Sequence, residues 1–251
     1  LEASVIQWQW KEDVFPECDQ FNGIHEGLVQ SWKDIFPKKG EIHFAGALEN
    51  NEDTGTLQYL ASTAMEAGFS TRVLDMQALD LQNGRFFDPA GELVNRCFKL
   101  YPWEWMVDES PDGCLAEMEW LEPIWKLVMS NKAILATLYE LFPDSPYVLP
   151  CYLSRPRSGL FCKKPVFSRE GHNVSVVDIR DWEEYVRIAE TEGDYNTGAY
   201  VYQEYVEPTA YSGRYPVIGS WIIGGEAAGI GIRENRMEVT DNLSEFVPHI
   251  I

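Results

Sequence analysis

The chain has 251 residues, 45% of them hydrophobic and 13% aromatic, which is enough to bury a large core as one large domain or two small ones and too apolar for a disordered protein. Twenty lysines and arginines against forty aspartates and glutamates leave a formal charge of −20, which opposes the backbone of DNA or RNA and favours a cationic partner. No run of about eighteen apolar residues occurs, and the opening LEASVIQWQWKEDVF lacks the basic start and cleavage pattern of a secretory signal, so no membrane passage is expected.

Along the chain, apolar residues at Phe21, Ile24, Leu28, Val29, Trp32 and Phe36 recur with a helical period, and Pro37 with the Lys38-Lys39-Gly40 turn closes that helix. EIHFAGAL, from Glu41 to Leu48, reads as a strand. A second helix is expected from Thr54 to Ala67, stopped by Gly68, followed by the strand STRVLDM from Ser70 to Met76. Strand, helix and strand in this order predict a βαβ unit with a parallel pair. Asn83-Gly84 between apolar flanks signals a hairpin. From Tyr101 to Trp125 the chain is rich in Trp, Pro and acid, and NKAILATLYELFP then predicts a short buried helix ended by Pro143.

Beyond that helix the runs YVLPCYL, LFCKKPVF, VSVVDI, AYVYQEYV and YPVIGSWIIGGEAAGIGIRE read as strands, and RDWEEYVRIAETEG between them reads as an acidic helix. The expected fold class is α+β. Residues 1–125 form an α/β region and residues 126–251 a mainly antiparallel sheet carrying one or two helices. The five cysteines are odd in number, scattered and never in a C-x-x-C pair, which predicts reduced thiols in a cytoplasmic protein. The four histidines lie too far from one another and from most cysteines for a structural zinc site, and no metal ligand is assigned.

Charge is distributed unevenly. No carboxylate lies between Asp144 and Glu170, whereas Arg155, Arg157, Lys163, Lys164 and Arg169 all fall there. Within that stretch KKPVFSREGHNV has the form of a strand, a basic turn and a glycine loop leading into a strand. Such a loop, with Ser168, Gly171 and Asn173, can turn successive amide N–H groups toward one anion, while Lys164 supplies a point charge above it. Phosphate is the natural ligand, although neither a Walker sequence nor a dinucleotide fingerprint occurs. Lys132 opens the SNKAIL helix, Gln203 and Glu204 close the strand in YVYQEYVEP, and Arg233 follows a strand whose glycines at 224, 225, 229 and 231 permit a close approach or fit a crowded sheet.

These segments, with EPIWKLVMSNKAILATLYELFP and TDNLSEFVPH, span essentially the whole chain and resemble the synthetase region of glutathionylspermidine synthase and trypanothione synthetase, an ATP-grasp family. The resemblance is closest to the stand-alone bacterial acid–amine ligases that lack the amidase domain. It implies an ATP-grasp fold beside a pre-ATP-grasp-like βαβ region, and an ATP-dependent carboxylate–amine ligase that forms an amide through an acyl phosphate. It further implies that Lys132 and Lys164 hold nucleotide phosphates, that Ser168 and Gly171 belong to a loop closing over them, and that Gln203 and Glu204 meet the nucleoside. Arg233 would stabilise the transferring phosphoryl group. Glu52 and Asp53 are similar to acidic residues that receive the substrates, and Asp241 is a further candidate for binding a cationic amine; the partners would be an amine such as a polyamine and a peptide-like carboxylate such as glutathione.

Members of the family bind Mg²⁺ through acidic residues that precede the segment matching Leu1 to Ala3. The chain is therefore expected to be part of a longer product, with the metal ligands upstream of residue 1 and with impaired activity on its own. Two other functions compete: a nucleotide-binding regulator or ATPase without ligase activity, and a non-enzymatic interaction protein using the Trp-rich acidic stretch from Trp103 to Trp125.

Overall fold

A computed structural model describes residues 1–181, 185–195, 198–239 and 244–251. The chain begins with a π-helical turn, Glu2–Ile6, that runs into helix α1 (Gln7–Val14), followed by α2 (Ile24–Ile35). Strand β1 (Glu41–Gly46), helix α3 (Asn51–Glu66) and strand β2 (Ser70–Asp75) then build the βαβ unit, with β1 and β2 parallel and Glu41 opposite Ser70. Asn50 caps α3 by accepting the Glu52 amide at 2.9 Å.

Three short strands, β3 (Asp80–Gln82), β4 (Arg85–Phe87) and β5 (Leu93–Val94), form an antiparallel meander. Asn83 and Gly84, at φ 51° and 75°, make the two-residue turn in which Gln82 faces Arg85. This is the left-handed pair that an Asn-Gly hairpin requires. β6 (Arg96–Leu100), helices α4 (Trp103–Glu109) and α5 (Pro111–Cys114), and β7 (Glu119–Leu121) complete a four-stranded parallel sheet of order β2-β1-β6-β7.

Strand alternation sorts the side chains of that sheet. Ile42 and Phe44, both fully buried, pack on one face with Trp32, Leu57 and Ala61 of the helices and with Phe36 just past the end of α2. On the other face Trp120 lies edge-on to Phe86 and Trp103. Two of the tryptophans in the acidic stretch are thus core residues. His43 is also buried on that second face, 3.6 Å from Glu41 and 3.9 Å from Asp88, and both acids pair with Arg72.

Short helices α6 (Leu127–Ser130) and α7 (Ala133–Leu141) lead into the second half. There β8 (Cys151–Tyr152), β9 (Gly159–Pro165), β10 (Ser175–Ile179), β11 (Tyr185–Glu190) and β12 (Tyr200–Glu204) form an antiparallel sheet of order β11-β10-β9-β12-β8. Ala136 of α7 packs on Cys151 and Val201. The acidic helix expected over RDWEEYVRIAETEG is overturned for its described part. Tyr185–Glu190 is a strand paired with β10 across a bulge at Val176/Val177, because Tyr185, Val186 and Ile188 favour extended backbone and β10 offers an open edge.

A hairpin of β13 (Tyr215–Ile223) and β14 (Glu226–Asn235), with β15 (Glu245–Val247), makes a three-stranded sheet. The chain divides into two compact units that are not consecutive stretches. One holds Leu1–Lys126, Ile218–Ile232 and Val247–Ile251, and the other Leu127–Val217 and Arg233–Phe246. In the first unit one glycine of the glycine-rich strand fits close packing of the chain on itself. Gly229 bridges Asn22, and a Cβ on it would lie 3.0 Å from both Ile24 and the Phe21 carbonyl. Among the described residues no helix is long and apolar enough to cross a membrane.

Candidate functional site

Adjacent lysines on β9 separate by strand alternation. Lys163 lies over the Tyr200 ring, 3.9 Å from its centroid. Lys164 sits opposite Val201 of β12 and donates to Gln203 Oε1 at 2.7 Å, on the face that α7 covers. Lys132 reaches the same end of β9 from the start of α7, because its backbone N–H donates to the Val166 carbonyl at 2.8 Å. Its ammonium donates to the Ser168 carbonyl at 2.5 Å and to Ser168 Oγ at 2.9 Å. Four of the expected residues therefore meet as two lysine–acceptor pairs at one end of one strand.

Ser168 is buried and begins the glycine loop. Glu170, Gly171 and Asn173 take φ values of 52°, 73° and 55°, the kind of backbone that turns amide N–H groups toward a concave point. The loop is anchored from the far side. Thr191 Oγ1 donates to the Gly171 carbonyl and accepts from the Val174 amide at 2.9 Å, and Asn173 Oδ1 accepts from the Tyr195 amide at 2.7 Å. Gly193 lies so close that a Cβ there would fall 2.5 Å from His172 Cβ. Thr191 and Tyr195 gave no signal as site supports in the sequence, because Thr191 falls within the expected helix and Tyr195 just past it, about 20 residues from the loop residues they bond.

Glu204 follows Gln203 but is exposed and faces Phe161 across the ladder, with its amide donating to the Pro150 carbonyl at 2.8 Å. Burial pushes the Cys151 and Cys162 thiols up, against the opposing pull of Lys164, so neither is an activated nucleophile. Arg233 lies on β14, in the same unit as the two lysines, and donates to the Ser244 carbonyl at 3.2 Å. Asp241 lies outside the described residues.

Glu52 and Asp53 belong to the other unit. They occupy the first turn of α3, just past the carboxyl end of β1. The chain leaves β1 toward β2 on one side and fills β6 on the other, so this is the switch point of the parallel sheet, where open α/β sheets form a crevice. Acids at a helix start also favour the helix dipole. The groove of about 370 Å³ lined by Ile35, Phe36, Lys38, Arg96 and Glu119 lies instead at the amino ends of β6 and β7, the opposite edge.

One lysine ammonium on Ser168 at the start of a loop with left-handed turns, and a second on the strand that leads into that loop, suit a ligand of several negative charges such as a polyphosphate. For a divalent metal the fit differs, because among the described residues no group of three or more His, Cys, Asp and Glu side chains could hold an ion.

The family model for the glutathionylspermidine synthase pre-ATP-grasp region matches residues 1–251. A Haemophilus influenzae protein named "Putative acid–amine ligase" is 36% identical over 99% of this chain and 67% of its own length. Trypanothione synthetase of Crithidia fasciculata is 27% identical over 98% of the chain, and the bifunctional glutathionylspermidine synthetase/amidase of Escherichia coli 25% identical over all of it. The chain spans only 42% and 45% of those two relatives. A solved structure titled "Putative gamma-glutamylcysteine synthetase" from Methylobacillus flagellatus shares the fold, with a TM-score of 0.58 at 8% identity, over 91% of this chain and 75% of that one. The chain belongs to the glutathionylspermidine synthase family, whose named members here are ligases and synthetases.

Proposed function

We propose that this family member carries the nucleotide-binding and amine-receiving parts of an ATP-dependent acid–amine ligase of ATP-grasp type. The observation that carries the reading is the meeting of Lys132, Lys164, Ser168 and Gln203 at one end of β9, beside a loop anchored by Thr191. The unit of the antiparallel sheet is assigned the nucleotide and the unit of the parallel sheet the substrates.

In the proposed reaction a carboxylate oxygen attacks the terminal phosphorus of ATP, the bond to ADP breaks, and an acyl phosphate forms. An amine nitrogen then attacks the carbonyl carbon, phosphate leaves with the bonding pair, and the nitrogen gives up a proton to yield the amide. The protein's part is positioning and cancellation of charge. Lys132 and Lys164 offset the phosphate charge, the loop from Ser168 through Gly171 shields it from water, and Arg233 faces the transferring group. Glu52 and Asp53 receive the substrates in the parallel-sheet unit. Mg²⁺, when bound, would neutralise phosphate oxygens, and no described residue is assigned as its ligand.

The relatives named for glutathionylspermidine and trypanothione make a glutathione-like acid and a polyamine the first substrates to test. Five unpaired cysteines fit a reducing, cytoplasmic setting. The test is ADP release with and without an added amine. Release that requires both the acid and the amine supports a ligase; release indifferent to the amine favours the ATPase reading, and a folded protein that binds no nucleotide ends the proposal.

A further inference from the structure

An ammonium can only donate, so the Gln203 atom 2.7 Å from Lys164 has to be the amide oxygen. That contact fixes the amide, and its two N–H donors face away from the lysine. The ladder places Gln203 opposite both Cys162 of β9 and Cys151 of β8, so the side chain is set between two strands on the α7-covered face. The next residue, Glu204, would be a stronger partner for a lysine. Strand alternation sends it to the other face, opposite Phe161. Among the described residues no carboxylate pairs with Lys164, and residues 145–169 contain none.

Lys39, Lys99 and Lys132 also donate to neutral oxygens, those of backbone carbonyls or of Ser168. Lys164 differs in that its acceptor is a side-chain amide, the neutral counterpart of a glutamate, with an actual glutamate one residue further on turned to the other face. We infer that Gln203 is a positioning residue that fixes Lys164 with an uncharged acceptor, keeping its full positive charge for an anionic ligand. The functional half rests on the nucleotide reading above; the positioning half does not. A carboxylate of the same shape at 203 would hold Lys164 as firmly but act as its counter-ion. The amide also sets what Gln203 offers a ligand: its remaining N–H groups call for an acceptor atom, such as a phosphate oxygen or a ring nitrogen, and not for an amino group.

The experiment compares wild type, Gln203→Glu and Gln203→Met in the 251-residue chain, each checked for folding by urea unfolding. Lys164 is probed by timed amine acetylation and mass spectrometry, with Lys163 as internal standard, and ATP is titrated calorimetrically. Lys164 should label fastest in Gln203→Met and slowest in Gln203→Glu. ATP affinity should fall about tenfold or more in Gln203→Glu, the scale of one charge-assisted contact, and less in Gln203→Met. Equal labelling of Lys164 in all three proteins overturns the inference even if ATP binds. Equal ATP affinity of the Glu and Met variants overturns its charge argument. Failure of wild type to bind ATP, with the labelling order intact, removes the nucleotide reading and leaves the positioning role standing.

Discussion

Replacing Lys132 with methionine keeps an unbranched stem of similar length and removes the ammonium that bonds twice to Ser168, at 2.5 and 2.9 Å. Two losses follow, and they have different sizes. The folded protein loses hydrogen bonds from a charged donor at a half-buried position, worth about 1–2 kcal/mol together, which for a chain of this length lowers Tm by roughly 2–8 °C. On the proposed nucleotide reading turnover also loses a cation that offsets phosphate charge, and comparable deletions of preorganised charge cost about 10²-fold or more. At about 1.4 kcal/mol per factor of ten, the second loss exceeds the first and is not explained by unfolding at 25 °C. The assay is ATP titration with ADP release, alongside thermal unfolding and hydrogen exchange of residues 168–174. If Lys132→Met lowered Tm as expected yet bound and turned over ATP like wild type, Lys132 would be only a tether for the loop.

Other substitutions test the packing and the buried charges. Gly46, at the carboxyl end of β1, has no room for a side chain: a Cβ would sit 2.9 Å from Leu57 and 3.1 Å from the Leu100 carbonyl, so Gly46→Ala should cost about 1–3 kcal/mol in urea unfolding. Gly55 within α3 has nothing within 4 Å, and Gly55→Ala should stabilise by about 0.5–1 kcal/mol. Burial lowers the pKa of His43, with Arg72 acting in the same direction and Glu41 and Asp88 opposing it. Neither ring nitrogen has a hydrogen-bond partner among the described residues. Because the folded value lies below the unfolded one of about 6.5, the unfolded chain takes the proton first as pH falls, and stability present above pH 6.5 is lost toward the folded pKa. His249 is lowered by burial in the same sense, so His43→Gln should reduce, and not abolish, the fall in urea midpoint between pH 7.5 and 5.5. An unchanged slope would show that His43 does not titrate there.

The βαβ unit and the Asn83-Gly84 hairpin were legible because their signals are local: a helical period bounded by Gly68, and a dipeptide that supplies two left-handed residues. The part of RDWEEYVRIAETEG that forms β11 was misread for the same reason. Its Glu, Ala and Arg content favours a helix locally, whereas the deciding partner is β10, which no window over that segment contains. The lysine–acceptor pairs lie further out of reach, since Lys164 and Gln203 are 39 residues apart and Lys132 and Ser168 are 36 apart. Composition could point to a cationic stretch and the family resemblance could name the residues. The discovery that Gln203 meets Lys164 required the register that sets Val201 opposite Lys164 and turns Glu204 away.

The same uneven charge makes a kinetic prediction. On the nucleotide reading, ATP approaching from a distance meets a chain of formal charge −20, within which the segment 145–169 carries five cations and no carboxylate of its own. Which field it feels depends on screening, because the Debye length is about 30 Å at 0.01 M salt and about 8 Å at 0.15 M. At low salt the whole molecule repels the nucleotide; at physiological salt the distant acids are screened and the local lysines and arginines dominate. The association rate of ATP, measured by stopped-flow tryptophan fluorescence, should therefore rise with ionic strength between 10 and 150 mM and then level off. Proteins that steer their ligand by an overall opposite charge do the reverse. A rate that falls steadily over that range would mean that a cationic field extends well beyond the β9 site, and that the acids play no part in the approach.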